Sequence, residues 1–199
     1  MWEYEEKARR GGYTRVCGCD EAGAGPLAGP VYAAAVILPA GVELPGLDDS
    51  KKLTEKKREA LFPKIREKAL AWSIASVSPE EIDQTDILSA RIKAMQLAID
   101  GLAPAPDFAL VDGNRDQGKS FALKTVHELI VKGDSLSASI AAASVLAKVS
   151  RDHFMRELAK EYPQYGFEAH KGYGTRLHYE RLREYGPSPV HRRSFLKNL

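Results

Sequence analysis

Residues 135–158, SLSASIAAASVLAKVSRDHFMREL, constrain the fold more than any other stretch of this chain. They read as one long helix whose first half is small and apolar almost all round. Such a helix has no face to give to water, so it must be buried. Tyr162-Pro163 ends it. The chain has 199 residues, 44% of them hydrophobic. That is enough for one domain with a sizeable core and a small appendage, and too much for a small disulfide scaffold.

The rest of the chain supplies strands and flanking helices. Residues 1–12 form a polar, helical lead-in. Strands are expected over 15–20, 31–38, 71–77 and 108–111, with a fifth running to about Lys132. The polar DDSKKL loop (48–53) opens a helix with Leu53, Leu61, Ile65 and Ala69 near helical spacing, and Pro63 should kink it or end it early. Ser78-Pro79-Glu80-Glu81 is a capping-box start with proline at the first helical position. Leu88, Ile92, Met95 and Ile99 form one stripe after it, and Gly101 stops it. The tail contains a helix near 175–185, closed by Gly186-Pro187. This order predicts an α/β fold, a mixed sheet covered by helices. A boundary is expected between a catalytic unit (1–162) and a helical, substrate-binding region (163–199).

Lys and Arg number 29 against 27 Asp and Glu, for a net charge of +2. Any basic surface must therefore be local. Cys17 and Cys19 lie in an apolar run, too close for an unstrained bridge on a strand, and read as reduced core thiols. The N-terminus has no apolar core of a signal peptide, and no stretch approaches the ~20 apolar residues of a membrane span. A cytoplasmic protein is expected.

Four acids fall where the expected strands end. Asp20 and Glu21 close the first, Asp112 the fourth and Asp134 the fifth. In an open α/β sheet, ligands gather outside the carboxyl ends of the strands. Clustered carboxylates repel unless a cation joins them, and an all-oxygen donor set favours Mg²⁺ or Mn²⁺ over zinc. Each acid also has a plain structural reading. Asp112-Gly113-Asn114 is a common turn, Asp134 suits a helix N-cap, and Asp20 and Glu21 suit a turn. The loop Gly23-Ala24-Gly25-Pro26-Leu27-Ala28-Gly29 superficially matches a dinucleotide fingerprint. A strand-like run, PVYAAAVIL, follows it instead of a helix, and the adjacent acids would repel a pyrophosphate. Its glycines allow the backbone a close approach to something beside the acids.

DEAGAGPLAGPV, DDSKKL, LVDGN, KGDS, AAASVLAKVSRD, YPQYGF, HKGYGT and HRRSF occur in this order from about Arg15 to Phe195. Together they resemble bacterial ribonuclease HII, the type 2 ribonuclease H. The resemblance implies a ribonuclease H-like mixed β-sheet flanked by helices, with a small helical C-terminal region. It implies an endoribonuclease that cuts the RNA strand of RNA–DNA hybrids and incises 5′ of ribonucleotides embedded in duplex DNA, leaving 5′-phosphate and 3′-hydroxyl ends. Asp20, Glu21, Asp112 and Asp134 would be the catalytic, metal-binding acids of a two-metal mechanism using Mg²⁺ or Mn²⁺. Gly23, Ala24 and Gly25 fall on a motif that normally reads Gly-Arg-Gly, whose backbone surrounds the ribose 2′-hydroxyl while the arginine touches phosphate. Tyr173 falls on the tyrosine that packs on the sugar. Ala24 departs from that pattern and removes a phosphate contact.

Lys51, Asn114, Lys148 and Arg192 complete the expected substrate-binding set, with Lys52, Lys171 and Arg193 as further phosphate candidates. Each base, taken singly, reads equally as surface charge. His170, His178 and His191 lack metal-ligand spacing and are expected to be structural or substrate-side. The partners implied are RNA–DNA hybrid and ribonucleotide-containing duplex, with no membrane, and the protein itself is expected to be a monomer. Two competing readings are a non-catalytic nucleic-acid-binding protein on the same fold and a nucleotide-binding enzyme that uses the glycine loop.

Overall fold

A computed structural model describes residues 1–113 and 123–197. Its elements are α1 (Glu3–Arg10), β1 (Val16–Ala22), β2 (Val31–Ile37), α2 (Glu55–Lys68), β3 (Ala71–Val77), α3 (Pro79–Gln84), α4 (Ile87–Asp100), β4 (Phe108–Asp112), β5 (His127–Ile130), α5 (Gly133–Leu136), α6 (Ala138–Glu161), α7 (Phe167–His170) and α8 (Arg176–Tyr185). The strands form one sheet in the order β3-β2-β1-β4-β5. β1 pairs antiparallel with β2, and β2 with β3, whereas β4 runs parallel to β1 and β5 parallel to β4. The expected mixed sheet is present, with β1 at its centre.

Side chains alternate across the sheet, and both faces are covered. On one face Cys17, Cys19, Ala33 and Ala35 pack with Ile92, Met95 and Ile99 of α4. On the other, Ala34 and Val36 meet Ala142, Val145 and Leu146 of α6, with Leu61 and Ile65 of α2. The apolar half of α6 is buried as its composition requires. A third cluster joins the second half of α6, through Met155 and Leu158, to Leu27 and Ala28 and to Tyr165, Phe167 and Leu182. The C-terminal region is thus packed on the loop that follows β1.

Several local expectations need correction. α2 runs through Pro63 to Lys68. Proline in a helix interior costs about 3 kcal/mol, and here Leu61 and Ile65 on either side of it are buried, which offsets that loss. The single stripe expected after Ser78 is two helices. Ser78 caps α3 by accepting from the Glu81 amide, and Asp86 starts α4 afresh by accepting from the Ser89 amide at 3.0 Å. The helix expected from residue 135 is also divided, because Ser137 is extended and caps α6 through the Ile140 amide. Asp134 therefore sits in the first turn of α5, two residues past a left-handed Lys132, and not at the end of β5.

Candidate active site

β1 and α6 are in direct backbone contact. A Cβ on Gly18 would lie 2.1 Å from the Ser139 carbonyl carbon, so only glycine permits this approach. It brings the end of β1 against the α5–α6 junction. A buried carboxylate secures the same junction from below: Glu5 of α1 accepts from Ser137 Oγ at 2.6 Å and from the Ser139 amide at 2.8 Å.

Asp20 from β1, Asp112 from β4 and Asp134 from α5 meet there, with one carboxylate oxygen of each within 4.8 Å of the others. Asp20 and Asp134 are buried. Burial pushes the Asp20 pKa well up, and the charges of Glu21 and Asp112 push it further. Burial and then Asp112 also raise Asp134, opposed by Lys51. Lys51 reaches Asp134 Oδ2 at 3.3 Å from a side chain that is 76% exposed. Three clustered carboxylates facing one exposed lysine carry surplus negative charge in a donor set made of oxygen alone. That chemistry fits a divalent cation.

Glu21 is placed differently. Successive strand residues face opposite ways, and its Oε1 lies 2.5 Å from Arg91 Nη2 of α4. Its Oε2 is buried without a hydrogen-bond partner among the described residues. Burial raises its pKa, while Arg91 opposes the rise. The structure thus brings three of the four acids together and holds the fourth on an arginine. Arg91 also lines, with Lys51, Lys52, Asp112, Lys132 and Asp134, a cavity of about 560 Å³ over the acids. No motif drew attention to Arg91; a lone arginine one residue before the buried Ile92 on an amphipathic helix was the available signal.

The glycine loop lies against the C-terminal region. A Cβ on Gly25 would sit 3.8 Å from the Tyr173 ring, and that ring is 44% exposed. Gly23 has φ +93°, and a Cβ there would fall 2.0 Å from Arg151 Nε. Two buried arginines hold this loop. Arg151 donates to the carbonyls of Pro30, Lys171 and Ala28 at 3.1, 3.1 and 3.2 Å. Arg192 donates to Gly29, Ala24 and Gly23 at 2.9, 2.9 and 2.6 Å. Burial, and then the Arg151 charge, pull the Arg192 pKa down to about 9, so it stays charged at neutral pH. Arg192 was expected on phosphate; it is instead fully buried with every guanidinium nitrogen on a carbonyl.

Lys148 needs a similar correction. It lies 2.6 Å from Asp152, which Arg58 also approaches at 3.9 Å, so its charge is already answered inside the protein. Lys52 bonds Ser135 Oγ at 3.0 Å and stays at the rim of the acid cavity. Lys171 gives its carbonyl to Arg151, and Arg193 its amide to Asp83 at 2.7 Å. Asn114 lies outside the described residues.

The histidines form a buried network. His178 Nδ1 lies 2.9 Å from the Tyr173 carbonyl, which fixes its proton on that nitrogen. Its Nε2 then accepts from His191 Nε2 at 3.0 Å, and His191 Nδ1 accepts from the Ser188 amide at 3.0 Å. His170 accepts from the Gly172 amide and donates to the Tyr165 carbonyl. Each neutral ring is satisfied, so these histidines build the turn that presents Tyr173. Cys17 and Cys19 are free and buried, and burial pushes the Cys17 thiol up to about 12. They are inert core residues.

Comparison with known proteins agrees with this geometry. The family profile described as Ribonuclease HII matches residues 17–198. A ribonuclease HII from Desulfitobacterium hafniense is 56% identical over 184 residues, covering 92% of this chain and 69% of the relative. One from Acetivibrio thermocellus is 52% identical over 198 residues, covering 100% of this chain and 76% of the relative. Among solved structures, the ribonuclease H2 of Pyrococcus horikoshii OT3 superposes with a TM-score of 0.77 at 27% identity, covering 91% of this chain and 93% of that one. The ribonuclease HII of Archaeoglobus fulgidus, solved in complex with PCNA, gives 0.76 at 26% identity, covering 90% and 94%.

Proposed function

This chain belongs to the ribonuclease HII family, and from the geometry of its site we infer how it acts on nucleic acid. It is an endoribonuclease of the type 2 ribonuclease H class that cuts RNA in RNA–DNA hybrids. Our proposal is that it also incises duplex DNA 5′ of single embedded ribonucleotides, leaving 5′-phosphate and 3′-hydroxyl ends. The observation that carries this reading is the convergence of Asp20, Asp112 and Asp134 from three different elements beside a glycine loop and an exposed tyrosine.

Asp20, Asp112 and Asp134 would hold divalent metal, with Glu21 joining them from its place on Arg91; Mg²⁺ or Mn²⁺ is proposed. Bound there, the metal would supply a more acidic water and charge stabilisation for phosphoryl transfer. The protein's own residues do the positioning. Lys51, Lys52 and Arg91 on the cavity wall attract the phosphodiester backbone. Gly23, Ala24 and Gly25 take the sugar closely because no side chain larger than methyl intervenes. Tyr173 offers a ring face to the adjoining sugar. With Lys148 and Arg192 turned inward, Lys51, Lys52 and Arg91 are bases placed at the acid cavity for phosphate contacts. No protein nucleophile is required.

The test is incubation of a duplex carrying one ribonucleotide, with Mg²⁺ and with EDTA. Incision 5′ of the ribonucleotide in Mg²⁺ alone is the expected result. Retained binding without cleavage in either condition would reduce the protein to a binding module.

A further inference from the structure

Glu5 is a fully buried carboxyl group outside the acid cluster. Burying such a group is costly unless its hydrogen bonds are satisfied, and Glu5 Oε2 has no hydrogen-bond partner among the described residues. Oε1 carries both of its bonds, and both go to the start of α6. A helix leaves its first four amides without partners of its own. Here all four are met. Ser137 N donates to Gly133 O at 2.8 Å, Ala138 N to Met1 O at 2.8 Å, Ser139 N to Glu5 Oε1 at 2.8 Å and Ile140 N to Ser137 Oγ at 3.2 Å. Glu5 also orients the one rotatable group among these acceptors. The Ser137 hydroxyl has a single proton, which it donates to Glu5 Oε1 at 2.6 Å, and its oxygen is left to accept from the Ile140 amide.

The turn that Glu5 holds leads to the clustered acids. Gly133 is fixed on both sides: its carbonyl accepts from the Ser137 amide, and its own amide donates to Asp112 Oδ1 at 2.7 Å. Asp134 is the next residue. The path from Glu5 through Ser137 to Gly133 therefore ends on two of the three clustered acids. β1, which carries the third, lies on the backbone of Ser139, the residue whose amide Glu5 accepts. We propose that Glu5 is a positioning residue for the metal site: by fixing the Ser137 turn at the α5–α6 junction it sets the spacing of Asp112 and Asp134. This rests on the reading that these acids hold divalent metal, and deepens it. Glu5 is not a ligand and acts only through the backbone that carries the ligands. Groups behind metal ligands govern affinity because they decide how much reorientation binding requires. The role needs an acceptor oxygen at the right reach; it does not need a charge.

That distinction sets the experiment. Mn²⁺ affinity is read from the EPR signal of the free ion, without substrate, for the wild-type chain, Glu5→Asp, Glu5→Gln and Ala8→Gly. Aspartate keeps the charge and is one methylene short; glutamine keeps an acceptor at the same reach and loses the charge. Mn²⁺ binding should weaken about tenfold in Glu5→Asp and stay close to wild type in Glu5→Gln. Ala8 is buried on the same helix, and glycine there weakens the helix itself, so Ala8→Gly should lower Tm and leave Mn²⁺ affinity unchanged. Unchanged affinity in Glu5→Asp would overturn the proposal. So would an equal loss in Glu5→Asp and Glu5→Gln, which would make Glu5 a distant charge. A loss in Ala8→Gly as large as in Glu5→Asp would overturn it too, because any loosening of α1 would then do the same. Should Glu5→Asp not fold, Ser137→Ala decides the matter. It removes the hydroxyl that Glu5 holds at the expense of one helix cap, and it should weaken Mn²⁺ binding; unchanged affinity there would overturn the assignment. A wild-type chain that takes up no Mn²⁺ would break the metal reading of the acids, and the proposal with it.

Discussion

The acid cluster and the arginine clamp are both buried collections of charge, and they begin three residues apart in sequence, at Asp20 and Gly23. In the clamp, every guanidinium nitrogen of Arg151 and Arg192 meets a carbonyl, and the histidines behind them are satisfied ring by ring. In the cluster, Asp20, Asp112 and Asp134 face one another, and Glu21 keeps one oxygen without a partner among the described residues. The first region is finished when the protein folds. The second is strained by like charge and is completed by something that binds. On the proposed function, recognition and chemistry are thereby divided: a loop whose hydrogen bonds are satisfied would read the sugar, and a pocket of unanswered acids would accept the cation.

The sharpest way to break this contrast is Asp20→Asn. Losing one carboxylate removes charge stabilisation worth several kcal/mol, so cleavage should fall by about three orders of magnitude or more. The same change relieves repulsion, so the metal-free protein should melt higher than wild type. In wild type, Mg²⁺ at 100 times its Kd should add about 2.7 kcal/mol of stability, and Asp20→Asn should lose most of that gain. Turnover near wild type, or an undiminished response to Mg²⁺, would show that the acids are not the unfinished region.

A smaller effect is expected on the finished side. Ala24→Arg restores a guanidinium to the loop without touching the clamped carbonyls. Affinity for a junction duplex should rise by about 1.5 kcal/mol, near the lower end for a hydrogen bond to a charged group. The salt dependence should steepen by roughly one unit of slope, with unchanged preference for ribose. If arginine creates ribose selectivity that the present chain lacks, the side chain reads the sugar and the backbone does not.

The smallest effect concerns the histidines. Burial lowers His178 and His191 to about 4, while the unfolded chain takes up protons near pH 6.5. Between those values the unfolded state binds more protons, so stability rises with pH across the window. Their contribution is complete above pH 6.5 and is lost as pH falls toward 4. Tm measured from pH 7 to 4.5 should fall less steeply in His191→Gln than in wild type; parallel curves would exclude the histidines as part of the satisfied region.

Much of this was legible in sequence, because it follows from short-range pattern. β3 occupies the expected residues, β2 ends one residue early, and Ser78 caps as its motif requires. The acids stand out because three apolar runs lead to them. What sequence could not supply was direction. That Glu21 rests on Arg91 while still feeling the charge of Asp112 depends on which side of β1 is covered by α4. Whether Arg192 faces solvent or the loop depends on the Ala28–His191 bridge, which joins residues far apart in the chain. Basic residues in a nucleic-acid-binding protein invite assignment to phosphate, yet Lys148 and Arg192 are consumed internally. The helix breaks at Asp86 and Ser137 were missed because apolar spacing continues across them while local capping interrupts the backbone.

The central position of β1 has a consequence for how the protein comes to exist. Its antiparallel neighbour β2 is reached through a short loop, but its parallel neighbour β4 returns only after β3, α3 and α4 have been laid down. Such non-local pairing closes late, because loop entropy is lost before the contacts repay it. Asp20 waits on that closure to meet Asp112, and on the α5–α6 junction to meet Asp134. A chain emerging during synthesis therefore carries no assembled acid cluster until the distant half has docked. On the proposed function, cation binding at these carboxylates would be a late checkpoint on maturation, with a partly folded molecule unarmed.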